Sequence, residues 1–80
     1  MAGQLKEATL IDVDLTDVDL RGADLTDANL GRTVLADADL RVATLRGAAL
    51  TDADLRGARY DAATSWPDGF KYETCGAIAA

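Results

Sequence analysis

Leucine stands at every fifth position from Leu5 to Leu55, and Tyr60 keeps the beat. Two residues before each, from Ala8 to Ala58, sits a small residue, most often Ala. This pattern fits neither regular element. In an α-helix five residues advance about 500°, so the leucines would spiral and build no face. In a flat strand five is odd, and successive leucines would point to opposite sides. A short extended stretch followed by a corner does fit. Positions i−2 and i then point inward together, and the corner turns the next Leu back in. Four right-angle corners close a square, so one coil takes about 20 residues and stacks on the next with strands about 4.8 Å apart.

That geometry predicts four inward columns. Leu5, Leu25 and Leu45 form one, and Leu10, Leu30 and Leu50 the next. Leu15, Leu35 and Leu55 form the third, and Leu20, Leu40 and Tyr60 the fourth. The corner residues agree. Gly22, Gly47 and Gly57 fall at i+2, where a turn can demand positive φ. Asp12, Asp17, Asp27, Asp37 and Asp52 take the same place in other repeats, and Asp is a common turn residue.

The stretches "ADLTDANL", "ADADL" and "TDADLRGARY" match an A(D/N)LXX pattern. On these residues the chain resembles the pentapeptide-repeat family, over residues 5–62 or about twelve repeats. Departures lie at Thr33 and Val34, and at Ala49 and Arg59. The resemblance implies an all-β fold, a right-handed quadrilateral β-helix of about three coils. The square follows from the periodicity; the hand is carried by the resemblance alone.

After Tyr60 the beat stops, and Trp66, Phe70 and Tyr72 follow, so all four aromatics lie in the last third. Pro67-Asp68-Gly69 reads as a turn. Residues 63–80 are expected to form a capping segment, with Tyr60 as the last rung and Trp66 and Phe70 folded over the final coil. Similar family members end in a comparable Trp-Pro-acidic-Gly-Phe tail. The rival reading is an exposed aromatic recognition patch. "KYETCGAIAA" is expected to add a short helix, with Ala77 and Ile78 as its apolar contacts, and Cys75 to be a small buried apolar residue. Only four residues precede Leu5, so the first coil is expected to be bare. Leu5, Leu10, Leu15 and Leu20 are then a candidate end-on interface for a homodimer.

Charge and composition narrow the function. Eighty residues make one domain at most. The net charge of −6 works against non-specific attraction to nucleic acid or to an anionic membrane. There is no long apolar run and no signal-peptide pattern, and the one Cys suits a reducing compartment, so a soluble cytoplasmic protein is expected. His is absent, no nucleophile–base set is present, and the glycines fall on the repeat beat. No catalytic, cofactor or metal site is expected; outward carboxylates on a convex wall converge on nothing.

Stacked outward residues predict a stripe of Asp17, Asp19, Asp37 and Asp39, with Asp12, Asp14, Asp52 and Asp54 on the neighbouring face. Arg21 and Arg41, with Lys6 and Arg46 nearby, are expected across the barrel, giving one acidic side and one mildly basic side. Solubility is the plain explanation of the stripe. The sharper one is DNA mimicry, since some members of the resembled family bind DNA gyrase. Three coils span only about 15 Å, a short rod. The expected function is therefore non-catalytic, a structural or protein-interaction module. DNA-mimicking gyrase modulation and self-assembly through the first coil are the alternatives.

Overall fold

The computed structural model describes residues 4–80. Its backbone is a square solenoid. Parallel bridges join Gln4 to Asp24, Thr9 to Asn29, Asp14 to Val34 and Asp19 to Asp39, and the same four lines continue to Thr44, Ala49, Asp54 and Arg59. The faces are numbered here by their inward residues: first, Leu5, Leu25 and Leu45; second, Leu10, Leu30 and Leu50; third, Leu15, Leu35 and Leu55; fourth, Leu20, Leu40 and Tyr60.

Each bridge line is made by one recurring set of bonds. The inward N–H donates to the outward carbonyl one coil up, as Leu30 does to Ala49 at 2.8 Å. The outward N–H donates down, as Ala49 does to Ala28 at 2.9 Å. The corner N–H donates up, as Arg32 does to Thr51 at 2.8 Å. Inside the repeat, the small residue's N–H closes the turn onto the preceding Leu carbonyl, as Ala28 does to Leu25 at 3.0 Å. Backbone groups in a buried wall must all find partners, and the five-residue unit gives most of them fixed addresses.

The corners carry the conformational cost. Every i+2 residue from Glu7 to Gly57 has a left-handed φ, between 55° and 75°. Gly, and to a lesser degree Asp, tolerate this region; Val42, at φ 63°, does not. Its side chain is 54% exposed, so packing returns little for the strain. Val42→Asn is therefore expected to stabilise the fold by about 1 kcal/mol, read as a higher denaturation midpoint in urea. An unchanged or lower midpoint would show that the side chain earns its place by contacts.

The leucine columns fill the interior. Leu25, Leu30, Leu35, Leu40 and Leu45 are fully buried, with Ala23, Ala28, Ala38, Ala43 and Ala58 packed beside them. Each such Leu contributes roughly 2 kcal/mol of transfer free energy. Thr33, where the pattern departs from Ala, keeps the wall intact. It is buried, and its hydroxyl donates to the Leu10 carbonyl at 2.6 Å. Val34, Ala49 and Arg59 also hold their places in the bridge lines.

Residues 61–80 stay in the ladder on three faces. Ser65 bridges Thr44, one residue later than the beat requires, and this puts Trp66 in register above Leu45. Thr64 repeats the role of Thr33, donating to the Leu40 carbonyl at 2.8 Å. On the third face Gly57 N–H donates to Gly76, in regular register, so Cys75 lies on the line of Leu55. On the fourth face β1 (Arg59–Tyr60) pairs in parallel with β2 (Ile78–Ala79), one residue early. The expected helix is a single 3₁₀ turn at Tyr72–Thr74. Neither Ala77 nor Ile78 is on it: Ala77 still packs against the core as expected, whereas pairing with Arg59 claims Ile78 for β2 and leaves it 56% exposed. Cys75 is half-buried rather than enclosed, and its thiol donates to the Tyr72 carbonyl at 3.1 Å.

The rings form one cluster. Trp66 lies between Phe70 (centroids 5.5 Å apart) and Tyr72 (5.4 Å), stacked on both. Tyr60 meets Trp66 and Tyr72 edge-on at 5.6 and 5.4 Å.

Candidate functional site

The outward positions are built by the same repeat. An Asp or Asn just before the Leu accepts the N–H of the residue just after it. Asp14 does so for Thr16 at 3.0 Å, Asp24 for Thr26 at 3.1 Å and Asn29 for Gly31 at 3.1 Å. Asp19, Asp39 and Asp54 do the same for Arg21, Arg41 and Arg56. That N–H has no place in the coil-to-coil ladder, so the carboxylate satisfies a group the backbone leaves over. The residue after the Leu then adds a side-chain bond: the Thr16 and Thr26 hydroxyls donate at 2.6 Å, and each Arg forks onto its Asp. Sequence reasoning missed this role, although the recurring Asp-x-Thr and Asp-x-Arg triplets carried its signal.

The four candidate aspartates, Asp17, Asp19, Asp37 and Asp39, line one shallow groove at the corner of the third and fourth faces. They share it with Arg21, Arg41 and Arg59, and Ile78 closes its upper end. The expected separation into an acidic and a basic side does not occur. Arg21 and Arg41 lie on the fourth face beside Asp19 and Asp39, because residues before and after one Leu project from the same wall. Arg21 reaches Asp19 at 2.9 Å and Asp39 of the next coil at 3.8 Å, and Arg41 reaches Asp39 at 2.5 Å. Arg59 sits above Asp39 in the bridge line, and Asp61 adds to the field at Arg41. The fourth face is thus a checkerboard with as many cations as anions. The acidic surplus is on the third face, whose own outward residues Asp14, Asp17, Asp37 and Asp54 are set against the single cation Arg56, with Asp17 and Asp37 at the corner it shares with the fourth face.

Two corners show a further device. The Asp27 carboxylate leans against the Cα of Gly47, and that of Asp37 against Gly57, where a Cβ would collide. Glycine there answers both the left-handed turn and the acid below it. At the corner of the second and third faces Arg32 forks onto Asp12 at 2.7 and 2.9 Å, with Asp52 in its field from above.

These bonds set the acid response. Hydrogen bonds from the Arg21 side chain, then from its backbone N–H, hold Asp19 down to about 2, and Arg56 does the same for Asp54. Asp12, Asp14, Asp24, Asp39 and Asp61 are lowered as well, chiefly by their hydrogen-bond donors. Carboxyls depressed in the folded state stabilise it fully above the ordinary carboxylate value of 3.8 and lose that contribution as pH falls towards 2. The melting temperature is expected to stay nearly level from neutral pH to about 5 and to fall between about 4 and 2. Circular dichroism melts across this range check it. A rise below pH 4 would mean that relief of mutual repulsion outweighs the lost bonds.

The end-on candidates sit as follows. Leu5, Leu10 and Leu15 are half-buried, whereas Leu20 is already enclosed. Among the described residues no group of metal-ligating side chains gathers, and no helix is long and apolar enough to cross a membrane.

Comparison with known proteins gives one consistent picture. The family model Pentapeptide repeats, in eight copies, matches residues 4–41 and 23–59. Among solved structures, the pentapeptide repeat protein Rfr23 of the cyanobacterium Cyanothece 51142 is 38% identical, with a TM-score of 0.78 over 79% of this chain. This chain spans 43% of Rfr23. The pentapeptide repeat protein alr5209 of Nostoc PCC 7120 is 31% identical, with a TM-score of 0.58, over 96% of this chain and 80% of that one. HetL, a pentapeptide repeat protein involved in heterocyst differentiation regulation in Nostoc sp. strain PCC 7120, is 34% identical, with a TM-score of 0.59, over 84% of this chain and 33% of its own. No curated protein matches the chain.

Proposed function

The chain belongs to the pentapeptide-repeat family of right-handed β-helices, and from that premise we propose that it is a non-catalytic interaction module that pairs with a second copy of itself. Its three regular coils present a stiff wall, and residues 63–80 serve as the lid at one end. The observation that carries the reading is the contrast along the columns. Leu25, Leu30 and Leu35 are fully buried, while Leu5, Leu10 and Leu15 below them keep part of their surface exposed.

The backbone of the first coil supports the same reading. Thr9 and Asp14 turn both N–H and C=O away from the coil above, and neither group has a partner among the described residues. Two such edges meeting antiparallel exchange both bonds at each facing pair, the arrangement of an ordinary antiparallel ladder. Thr9→Pro removes one of these donors without touching the interior, and an edge position tolerates Pro. Light scattering is expected to give a dimeric mass for the chain and a monomeric mass for Thr9→Pro. A monomer across a wide concentration range in the unaltered chain would end this reading.

Two observations weigh against DNA mimicry. The described residues measure 25 × 25 × 22 Å, a block and not a rod. The aspartates that would imitate phosphates at the corner groove share it with Arg21, Arg41 and Arg59.

A further inference from the structure

On the second face of the third coil the backbone code is left incomplete. Leu50 N–H, Asp52 N–H and Ala48 C=O have no partner among the described residues. The equivalent groups one coil down are all bonded: Leu30 and Arg32 donate to Ala49 and Thr51, and Ala28 accepts from Ala49. The chain above turns away here. It leaves the first face at Ser65 and passes through the Pro67–Gly69 turn, and its next bond to the coil below is on the third face, at Gly76.

A groove of about 370 Å³ opens over the unpaired edge, bounded by Ala48, Leu50, Thr51 and, from above, Asp68, Gly69 and Phe70. No Lys or Arg lines it. Asp68 lines it and Asp52 carries one of the unpaired N–H groups. Arg46 shares the adjoining groove with Asp68, and Asp52 acts on Arg32 from a distance, but neither acid forms an ion pair among the described residues.

We infer that this gap receives an extended basic peptide segment of a partner protein, which adds as the missing parallel strand. The inference deepens the interaction-module reading and rests on it. The existing ladder dictates the three bonds. One outward residue of the peptide donates its N–H to Ala48 C=O and accepts from Leu50 N–H, and the carbonyl two residues on accepts from Asp52 N–H. Strand addition of this kind takes its affinity from the main chain and its selectivity from alternate side chains. Leu50 is nearly enclosed and Phe70 packs on the core, so the inward peptide residues must be small. Its outward residues run beside Asp52 and Asp68, and a basic side chain is the fitting complement.

Amide exchange by NMR on the full chain tests the edge first. Leu50 and Asp52 are expected to exchange at least about 100-fold faster than Leu30 and Arg32. Equal protection in the free protein would show that the edge is closed and would overturn the inference. The probe is then acetyl-Lys-Ala-Lys-Ala-Lys-amide at millimolar concentration. It is expected to slow exchange at Leu50 and Asp52 and to shift resonances of residues 48–52 and 67–70. N-methylation of its central residue, or the pair Asp52→Asn and Asp68→Asn in the protein, is expected to weaken binding at least about fivefold. Shifts confined to the acidic third face, or none, would overturn the inference. If the peptide fails here while Thr9→Pro still halves the mass, the docking edge falls and self-association stands.

Discussion

Trp66→Ala lowers the melting temperature by roughly 15–30 °C, the largest effect expected of a single substitution in this chain. Truncating a packed Trp costs about 3–5 kcal/mol, and in a domain of this size each kcal/mol moves the midpoint by about 4–8 °C. The loss has two parts. Trp66 stands in register above Leu45, where every lower coil has Leu, so its removal uncovers the end of a column. It is also the ring that Phe70 and Tyr72 both stack upon. Trp66→Phe keeps a ring in the column and should recover most of the loss. A melting temperature that does not move for Trp66→Ala would assign the aromatics to recognition of a partner and not to closure of the solenoid.

Leu35→Ala is the second large effect, at about 2–5 kcal/mol. Leu35 is completely enclosed, with a coil above and a coil below. Leu5→Ala removes the same atoms from a site that is half-buried in the single chain. It should cost less than half as much where the chain is monomeric and approach the Leu35→Ala cost where the proposed dimer forms. Urea denaturation of the two variants gives the ratio directly. Equal costs would mean that the first coil is as well covered in solution as the second, which happens if a second copy already sits on it. Measuring Leu5→Ala at several protein concentrations separates the two cases, because dimer stability depends on concentration and intramolecular packing does not.

How much the sequence disclosed differs from wall to interior. The interior was legible because one residue type marks it: a Leu or Tyr every fifth position leaves the square coil as the geometry that keeps all of them inside. The corners were legible at Gly22, Gly47, Gly57 and the aspartates. They were not at Glu7, Arg32 and Val42, whose left-handed φ is imposed by the repeat against their own preference. The surface charges were misread because their stacking was followed up the columns and not across one wall, where Asp19 and Arg21 flank the same Leu. The tail was hidden by a single residue. Thr64-Ser65-Trp66 is the same small–polar–large triplet as Ala43-Thr44-Leu45, but the longer turn at 61–64 moves it one place off the beat.

The ladder also implies two grammars in one chain. The interior reads in fives: insert five residues anywhere and each Leu still points inward. The wall reads in twenties, because Arg21 finds Asp39, and Arg32 finds Asp12, only when a full circuit separates their coils. Five added residues would leave the core intact and turn every later surface residue by a quarter, parting those ions. A single added residue breaks both readings, like a shift of frame. Bridge spacings of 21 residues at Ser65 and 19 at Ile78, with regular register at Gly76 between them, show one extra residue undone by Gly76 and one residue fewer after it, both absorbed inside the final circuit. Lengthening by whole circuits is the change such a protein tolerates best, since it alone preserves both grammars.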